Sequence, residues 1–168
     1  SLRNTQISFD INSSKNNIAF PLITCAVFLA LLSPTLFQEG MFFDGVTYAA
    51  ISNNIANGIG SFWHPIFSNN LTFQGHPPLA FGLQSILFNI LGDAFYIDRL
   101  YSFIMAIVTT WGITLCWRLF NKNGTEWLPI LLWIIVPITF WSYQNNMLEN
   151  TMTAFTLFST YFILKSAL

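Results

Sequence analysis

The chain has 168 residues, of which 54% are hydrophobic and 8% are charged, and its formal net charge is −1. Soluble domains carry roughly 25% charged residues, so this composition excludes an ordinary water-soluble fold. A nucleic-acid partner is also disfavoured, because binding nucleic acid requires a basic surface. The totals predict an all-α, polytopic membrane protein with about four transmembrane helices.

The N-terminal region consists of a polar stretch followed by a long apolar one. Residues 1–17 are rich in Asn and Ser, and we expect them to form a cytoplasmic tail. Residues 18–37 are uncharged and long enough to cross a hydrocarbon core of about 30 Å. A cleaved signal peptide would have an apolar region of only about 7–15 residues, so we favour an uncleaved first span.

The longest polar interval covers residues 38–79, which contain no Lys or Arg. Within it, the spacing of apolar residues over 44–57 predicts an amphipathic helix on the membrane surface. Gly58 is expected to end that helix. Residues 79–91 are apolar, but about 13 residues are too few for a comfortable span. We therefore expect a second juxtamembrane helix there, either interfacial or re-entrant.

Three further apolar stretches, 96–120, 127–141 and 151–164, complete the predicted set of four spans. Cytoplasmic loops of membrane proteins carry an excess of Lys and Arg. If the short apolar segment does not cross, five basic residues fall on one side, namely Arg3, Lys15, Arg118, Lys122 and Lys165. Both chain ends are then cytoplasmic, and an outer loop over 38–95 faces the periplasm or the cell exterior. We expect a multi-pass protein of the plasma (inner) membrane.

Each of the two predicted outer turns offers an acidic residue as a candidate. Asp44 follows the first span, where a partly desolvated carboxylate is a candidate general base. The alternative is that Asp44 caps the helix that follows it. Glu149 lies between the third and fourth spans, and it could converge with Asp44 on one site. The alternative for Glu149 is a solvated charge in the first turn of the fourth span, where the helix dipole favours an acid.

The segment 75–78 (Gly-His-Pro-Pro) predicts a rigid turn, because proline fixes its own φ and restricts the residue before it. His76 is a candidate ligand for a phosphate or a metal, or a surface residue that only titrates. Arg99 is a candidate anion ligand; the alternatives are pairing with Asp98 and snorkelling to the interface. Two histidines and distant acids make no obvious zinc site. Any cofactor therefore stays unknown, with a divalent metal as one option.

In their order, these residues resemble the beginning of a polyprenyl-phosphate-sugar-dependent glycosyltransferase of the GT-C superfamily. The branch is that of the protein O-mannosyltransferases and the lipid A aminoarabinose transferases, glycosyltransferase family 39 and its relatives. The resemblance covers about residues 18–165. The matching positions are Asp44, the helix motif Tyr48, Ala49, Asn54 and Gly58, the run His76-Pro77-Pro78-Leu79, the segment 87–92 (Leu-Phe-Asn-Ile-Leu-Gly), Arg99-Leu100 and Glu149.

The resemblance implies an enzyme that transfers a sugar from a polyprenyl-phosphate-linked donor at the non-cytoplasmic membrane face. The acceptor would be a lipid, a glycan or a protein, and the anomeric carbon would be inverted. Under this resemblance Asp44 is the catalytic residue, and Glu149, His76, Arg99 and Tyr48 bind substrate.

The chain departs from the family pattern in its first outer loop. Gly45 stands where the family often has an acid, and Gly75 stands where a Glu sometimes precedes the Lys-Pro-Pro run. The change at Gly75 argues against a metal site of the family type. Members of the family have several hundred residues, so we expect residues 18–168 to be the N-terminal part of a larger transmembrane domain.

Two other functions fit the composition. One is a transporter or channel, because acids near membrane depth often mark ion paths. The other is a non-catalytic membrane scaffold, in which Asp44 could be replaced freely.

Overall fold

The computed structural model describes residues 18–68, 71–121 and 124–168, and the chain is mostly helical over these ranges. The predicted tail 1–17 and Lys122 lie outside the described residues. In chain order the elements are α1 (Ala19–Leu32), a 3₁₀ turn (Ser33–Phe37), α2 (Phe43–Ala56), β1 (Gly60–Ser61), β2 (His64–Ser68), β3 (Leu71–Thr72), α3 (Leu79–Leu91), α4 (Ile97–Phe120), α5 (Trp127–Ile134), α6 (Pro137–Gln144) and α7 (Leu148–Ala167).

Two helical segments are long and apolar enough to cross a membrane, Ala19–Phe37 with 19 residues and α4 with 24 residues. Helices α5 and α6 are each too short to cross alone. Together they are long and apolar enough, but they are bent by 76° at the break between them. The described residues therefore hold two candidate spans, or three if the bent pair is one span. This agrees with a helical membrane protein, but the predicted number of four spans is not reached.

The residue types in the predicted third and fourth spans explain why neither is one continuous apolar helix. Pro137 has no N–H to donate, and Val136 before it is extended, as residues preceding proline usually are. The helix therefore stops after α5 and restarts as α6 in a new direction. Helix α7 has 20 residues, which is long enough to cross, but it is less apolar than α4 and is not among the candidate spans. Its polar residues are Glu149, Asn150, Thr151, Thr153, Thr156, Ser159, Thr160, Lys165 and Ser166.

The predicted outer loop, 38–95, holds α2, a small antiparallel sheet and α3. Helix α2 begins and ends one residue before the predicted bounds, and α3 has the predicted bounds. The sheet order is β1-β2-β3, with Gly60 opposite Pro65 and Ile66 opposite Thr72. The three strands were not predicted, so the all-α class is correct for the helical framework and incomplete for this loop.

Helix α2 does not bury the apolar side that its sequence predicts. Thr47 and Ser52 are buried together with Ile51, whereas Val46 is 46% exposed. The Ser52 hydroxyl lies 3.2 Å from Oε1 of Gln84 on α3. A buried polar side chain is tolerated when it has such a partner. Helix α2 therefore packs against α3 through apolar groups as well as this polar contact, and its position on a membrane surface stays a prediction.

Helices α4 and α7 run side by side in the same direction. The hydroxyls of Tyr101 and Thr151, near the two starts, lie 2.7 Å apart. Further along, the Cys116 thiol donates to the carbonyl of Leu157 at 3.3 Å. Gly112 permits the close approach, because a Cβ there would lie 2.9 Å from the Cβ of Leu157. The N-terminal ends of both helices therefore lie at the same end of the bundle.

Two apolar cores hold the chain together. The larger lies among α1, α4, α6 and α7 and consists of Phe28, Leu32, Tyr101, Met105, Ala106, Tyr143 and Ala154. The smaller joins α2 and α3 to the start of α7 and consists of Tyr48, Ile51, Ala80, Phe81, Met147 and Leu148. The smaller core brings the predicted outer loop against the start of α7, where Glu149 lies.

Candidate functional site

The start of α2 is docked against the turn before α7. The backbone N–H of Phe42 donates to Oδ1 of Asn145 at 2.7 Å. Gly45 is buried, and a Cβ built there would lie 2.0 Å from the backbone oxygen of Asn145. Only glycine permits this approach. A side chain in place of Gly45, such as the acid that the resembled family often has, would push the two turns apart.

Asn146 ties the same turn to the helices beneath it. Its φ is 52°, a left-handed conformation that Asn tolerates better than most residues do. Its Nδ2 donates to Oε1 of Gln84, and its Oδ1 accepts a hydrogen bond from the Ser102 hydroxyl, both at 3.3 Å. All three side chains are buried. The turn that precedes Glu149 is therefore fixed to α3 and α4 through polar contacts.

Tyr48 lies where the outer loop meets this turn. Its side chain is only 5% exposed and packs against two phenylalanines. A buried phenol needs a hydrogen-bond partner, and Nε2 of His76 lies 3.2 Å from the Tyr48 hydroxyl. Burial raises the pKa of Tyr48, and the negative charges of Asp44 and Glu149 raise it further. Asp44 lies one helical turn before Tyr48 on α2, and Glu149 follows Leu148, which packs in the same core as Tyr48.

Four of the five predicted site residues are thus gathered together, and we call Asp44, Tyr48, His76 and Glu149 the Tyr48 site. His76 and Glu149 are exposed, and Asp44 is partly exposed. Among the described residues, neither carboxylate makes a side-chain hydrogen bond or an ion pair. Acids that are held in place yet unpaired remain available to a ligand.

The two carboxylates occupy equivalent positions in their helices. Asp44 is the second residue of α2, and Glu149 is the second residue of α7. The N-cap of α2 is Phe42, so the alternative prediction that Asp44 caps this helix is wrong. Acids in the first turn of a helix are favoured by the helix dipole. The dipole stabilises both charges without requiring a hydrogen bond to the carboxylate oxygens.

Arg99, the fifth predicted site residue, has other partners. It is 2% exposed, and its terminal nitrogens donate to the backbone carbonyls of Thr35, Gln38 and Gly40. The neighbouring Asp98 accepts a hydrogen bond from the Arg99 backbone N–H at 2.8 Å. We call Arg99 with these three carbonyls the Arg99 anchor. It fastens the exit of the first span to the start of α4, so its arginine does not stand open to an anion.

A groove of about 410 Å³ begins beside His76 and follows α7. Its walls are mainly apolar, with hydroxyl groups at intervals along one side. The residues that line it are His76, Pro77, Leu79, Ala80, Leu148, Thr151, Met152, Phe155, Thr156, Ser159, Thr160 and Ile163. A long apolar chain can lie in such a groove with a polar head group near His76.

The chemistry that the Tyr48 site offers is proton transfer and hydrogen bonding. Asp44 and Glu149 can accept protons, and His76 can donate a hydrogen bond from its second ring nitrogen. No group of three or more His, Cys, Asp or Glu residues in the described part of the chain is placed to hold a metal ion. Comparison with protein-family models, with curated proteins and with solved structures finds no match. The resemblance to the GT-C superfamily therefore stays a prediction.

The residues that fix the site were not predicted from sequence. Asn145 and Asn146 hold the second turn in place, and Thr151 borders the groove. The signal that could have identified the first two is the Asn-Asn pair just before an apolar residue, since Asn is favoured where a turn needs a positive φ.

Proposed function

We propose that the protein is a membrane glycosyltransferase that moves a sugar from a polyprenyl-phosphate-linked donor to an acceptor hydroxyl at the non-cytoplasmic face. The observation that carries the proposal is that the start of α2, which holds Asp44, is docked against the turn just before Glu149, with the Phe42 N–H donating to Oδ1 of Asn145 at 2.7 Å. Two unpaired carboxylates beside a histidine suit a reaction that removes one proton and releases an anion.

In the proposed reaction Asp44 takes the proton from the acceptor hydroxyl as its oxygen attacks the anomeric carbon of the sugar. The bond between that carbon and the phosphate oxygen breaks, and the polyprenyl phosphate leaves with the electron pair. A single displacement of this kind inverts the anomeric carbon. If the acceptor is already an anion, Asp44 orients it instead.

The phosphate that leaves needs a donor group to stabilise its charge. His76 is the candidate in the Tyr48 site, because its ring borders the groove and only one of its nitrogens is used by Tyr48. Arg99 was the other predicted candidate, but its terminal nitrogens already donate to backbone carbonyls. We propose that the apolar groove along α7 takes the isoprenoid chain of the donor.

The topology supports the same proposal. The exit of the first span, the start of α4 and the start of α7 meet at one end of the bundle, together with the outer loop. Arg118 and Lys165 lie in the last turns of α4 and α7, at the opposite ends of those helices. With this basic end in the cytoplasm, the Tyr48 site faces the periplasm or the cell exterior. Four crossings then require both the bent α5–α6 pair and the polar α7 to traverse the membrane.

The test is transfer by the intact protein in proteoliposomes, with sugar-labelled polyprenyl-phosphate donors and release of free polyprenyl phosphate as the readout. Asp44→Asn should lower the rate by about 10²–10⁴-fold, which is the usual contribution of a general base. Asp93→Asn is the matched control, because Asp93 is an exposed acid of the same predicted loop that lies outside the Tyr48 site. Near-normal transfer by Asp44→Asn would remove Asp44 from the mechanism. No turnover of hexosyl or pentosyl donors by the unaltered protein would count against the function itself.

A further inference from the structure

Tyr48 and His76 form a side-chain pair whose hydrogen bond has a direction that the geometry can assign. The two atoms lie 3.2 Å apart, and the rings meet edge to face, with centroids 5.5 Å apart and planes at 89°. The Tyr48 hydroxyl has one proton to donate. In the described part of the chain, the only acceptor within hydrogen-bond distance of it is Nε2 of His76.

We propose that Tyr48 is a positioning residue that donates its hydroxyl proton to Nε2 of His76 and so fixes the neutral ring with its proton on Nδ1. This inference rests on the proposed function only in what the Nδ1 proton is for, namely a hydrogen bond to an anionic phosphate oxygen in the groove. The tautomer itself can be tested without any substrate.

Donation in the opposite direction, from Nε2 of His76 to the Tyr48 oxygen, would leave one hydrogen-bond donor without an acceptor in the described part of the chain. If Nε2 carried the proton and donated to Tyr48, the phenol proton would have no acceptor among the described residues, although Tyr48 is only 5% exposed. An unmade hydrogen bond at a buried donor is costly. The nearby carboxylates act in the same sense, because the negative charges of Asp44 and Glu149 disfavour the phenolate and keep the phenol a donor.

The position of the ring also points toward a ligand. His76 packs against Phe73 and Tyr48, with centroids 5.7 Å and 5.5 Å away, so its plane is held on two sides. It borders the groove along α7 and is exposed. With Nε2 used by Tyr48, Nδ1 is the ring nitrogen left for a bound group. The second ring nitrogen of a histidine is commonly set by the hydrogen bond that the first one makes.

The experiment is ¹⁵N NMR of the intact protein with ¹⁵N-labelled histidine in detergent micelles or nanodiscs. The chain has two histidines, so within it His64→Gln leaves a single ring, that of His76, whose signals are assigned by their loss in His76→Gln. Spectra are recorded as a function of pH, and the tautomer is assigned from those in which the ring is neutral. We expect the proton on Nδ1, with Nε2 showing the shift of an unprotonated ring nitrogen.

Replacing the hydroxyl then tests its role. Tyr48→Phe in the His64→Gln background should change the ratio of the two tautomers by about fivefold to tenfold toward the Nε2–H form, as the loss of one neutral hydrogen bond predicts. Tyr96→Phe is the matched control, because Tyr96 is 40% exposed and makes no described contact with His76. It should leave the ratio unchanged.

Two results would overturn the inference. One is an Nε2-protonated ring in the background protein, a measurement that needs no Tyr48 variant. The other is an unchanged ratio in a folded Tyr48→Phe protein. Neither result bears on whether sugar is transferred, which the Asp44 assay decides separately. Conversely, an inactive protein with the Nδ1 tautomer would retain the positioning role of Tyr48 and reject the proposed reaction.

Discussion

Two polar regions lie near the N-terminal ends of α4 and α7. The charged group of one is buried and hydrogen-bonded, and those of the other are at least partly exposed and, among the described residues, unpaired. In the Arg99 anchor the guanidinium is 2% exposed and its terminal nitrogens are bonded to backbone carbonyls. In the Tyr48 site Asp44 is partly exposed and Glu149 is exposed, with no side-chain hydrogen bond to a described residue. The comparison separates a charge that holds the chain together from charges that have no described partner.

The difference follows from the free-energy cost of leaving each charge unpaired at its position. A buried guanidinium is tolerated only when nearly all its donors are satisfied, so the Arg99 anchor can lose very little. An exposed first-turn carboxylate is stabilised by water and the helix dipole, so it can stay unpaired at little cost. Loss of Arg99 should therefore damage the fold, whereas loss of Asp44 should damage only activity.

The largest expected effect on stability is that of Arg99→Met. It leaves the carbonyls of Thr35, Gln38 and Gly40 without their donor, and we expect a loss of about 3–5 kcal/mol in the free energy of unfolding. The measurement is unfolding in mixed detergent micelles, followed by circular dichroism.

The control for that prediction is Lys165→Met. The Lys165 side chain is exposed, and its ammonium lies 5.5 Å from the centroid of the Tyr161 ring, so the expected loss is about 0.5–1 kcal/mol. If Arg99→Met proved no more harmful than Lys165→Met, the distinction between an anchoring charge and an exposed charge would fail.

A smaller effect is expected where the Tyr48 site touches the second turn. In Gly45→Ala a Cβ would lie 2.0 Å from the backbone oxygen of Asn145, and such overpacking costs about 1–3 kcal/mol. Alanine would otherwise stabilise a helix by about 0.5–1 kcal/mol relative to glycine, so a measured loss must come from the contact. Because the shift separates Asp44 from Glu149, transfer activity should fall as well.

Gly75→Ala is the matched control for that variant. A Cβ at Gly75 would meet the Phe73 ring at an ordinary distance of 3.4 Å, so stability and activity should stay near their starting values. Equal effects of the two substitutions would show that the close approach at Gly45 is unimportant.

The sequence predicted the parts of the fold that depend on local patterns. The apolar run 79–91 became α3 with the same bounds, and the start of α4 was placed within one residue. Pro137 and the polar residues of α7 were visible in the sequence, but the segments that contain them were still predicted to be spans. The number of crossings depends on how neighbouring helices shield polar residues, which local composition does not contain.

The candidate site was predictable as far as topology brings turns together. Asp44 and Glu149 were expected on one side because each follows a segment that leads to the same membrane face, and the start of α2 does contact Asn145 in the turn before α7. The role of Arg99 was not foreseeable, because its partners are backbone carbonyls 59 to 64 residues away in the chain. Backbone groups carry no sequence signal for the side chain that will bind them.

The smallest expected effect concerns the ionisation of Tyr48, and it measures directly whether both acids share the site. Asp44→Asn and Glu149→Gln should each lower the pKa of Tyr48 toward its ordinary value near 10, because each removes a negative charge that disfavours the phenolate. The decrease should be larger for Asp44→Asn, since Asp44 is the stronger of the two causes. Burial is the largest cause of all, so the pKa should stay above the ordinary value in both variants.

The measurement is ¹³C NMR of tyrosine labelled at the ring carbon that bears the hydroxyl, with the Tyr48 signal assigned by its loss in Tyr48→Phe. The sign of the linked stability change follows from the raised pKa. The contribution of Tyr48 to the free energy of unfolding is complete below the ordinary pKa, and it is lost as pH rises through the folded-state value. Asp93→Asn should leave the titration unchanged. If Glu149→Gln also left it unchanged while Asp44→Asn lowered it, the second turn would not share the site, and the proposed pairing of the two carboxylates on one sugar would have to be abandoned.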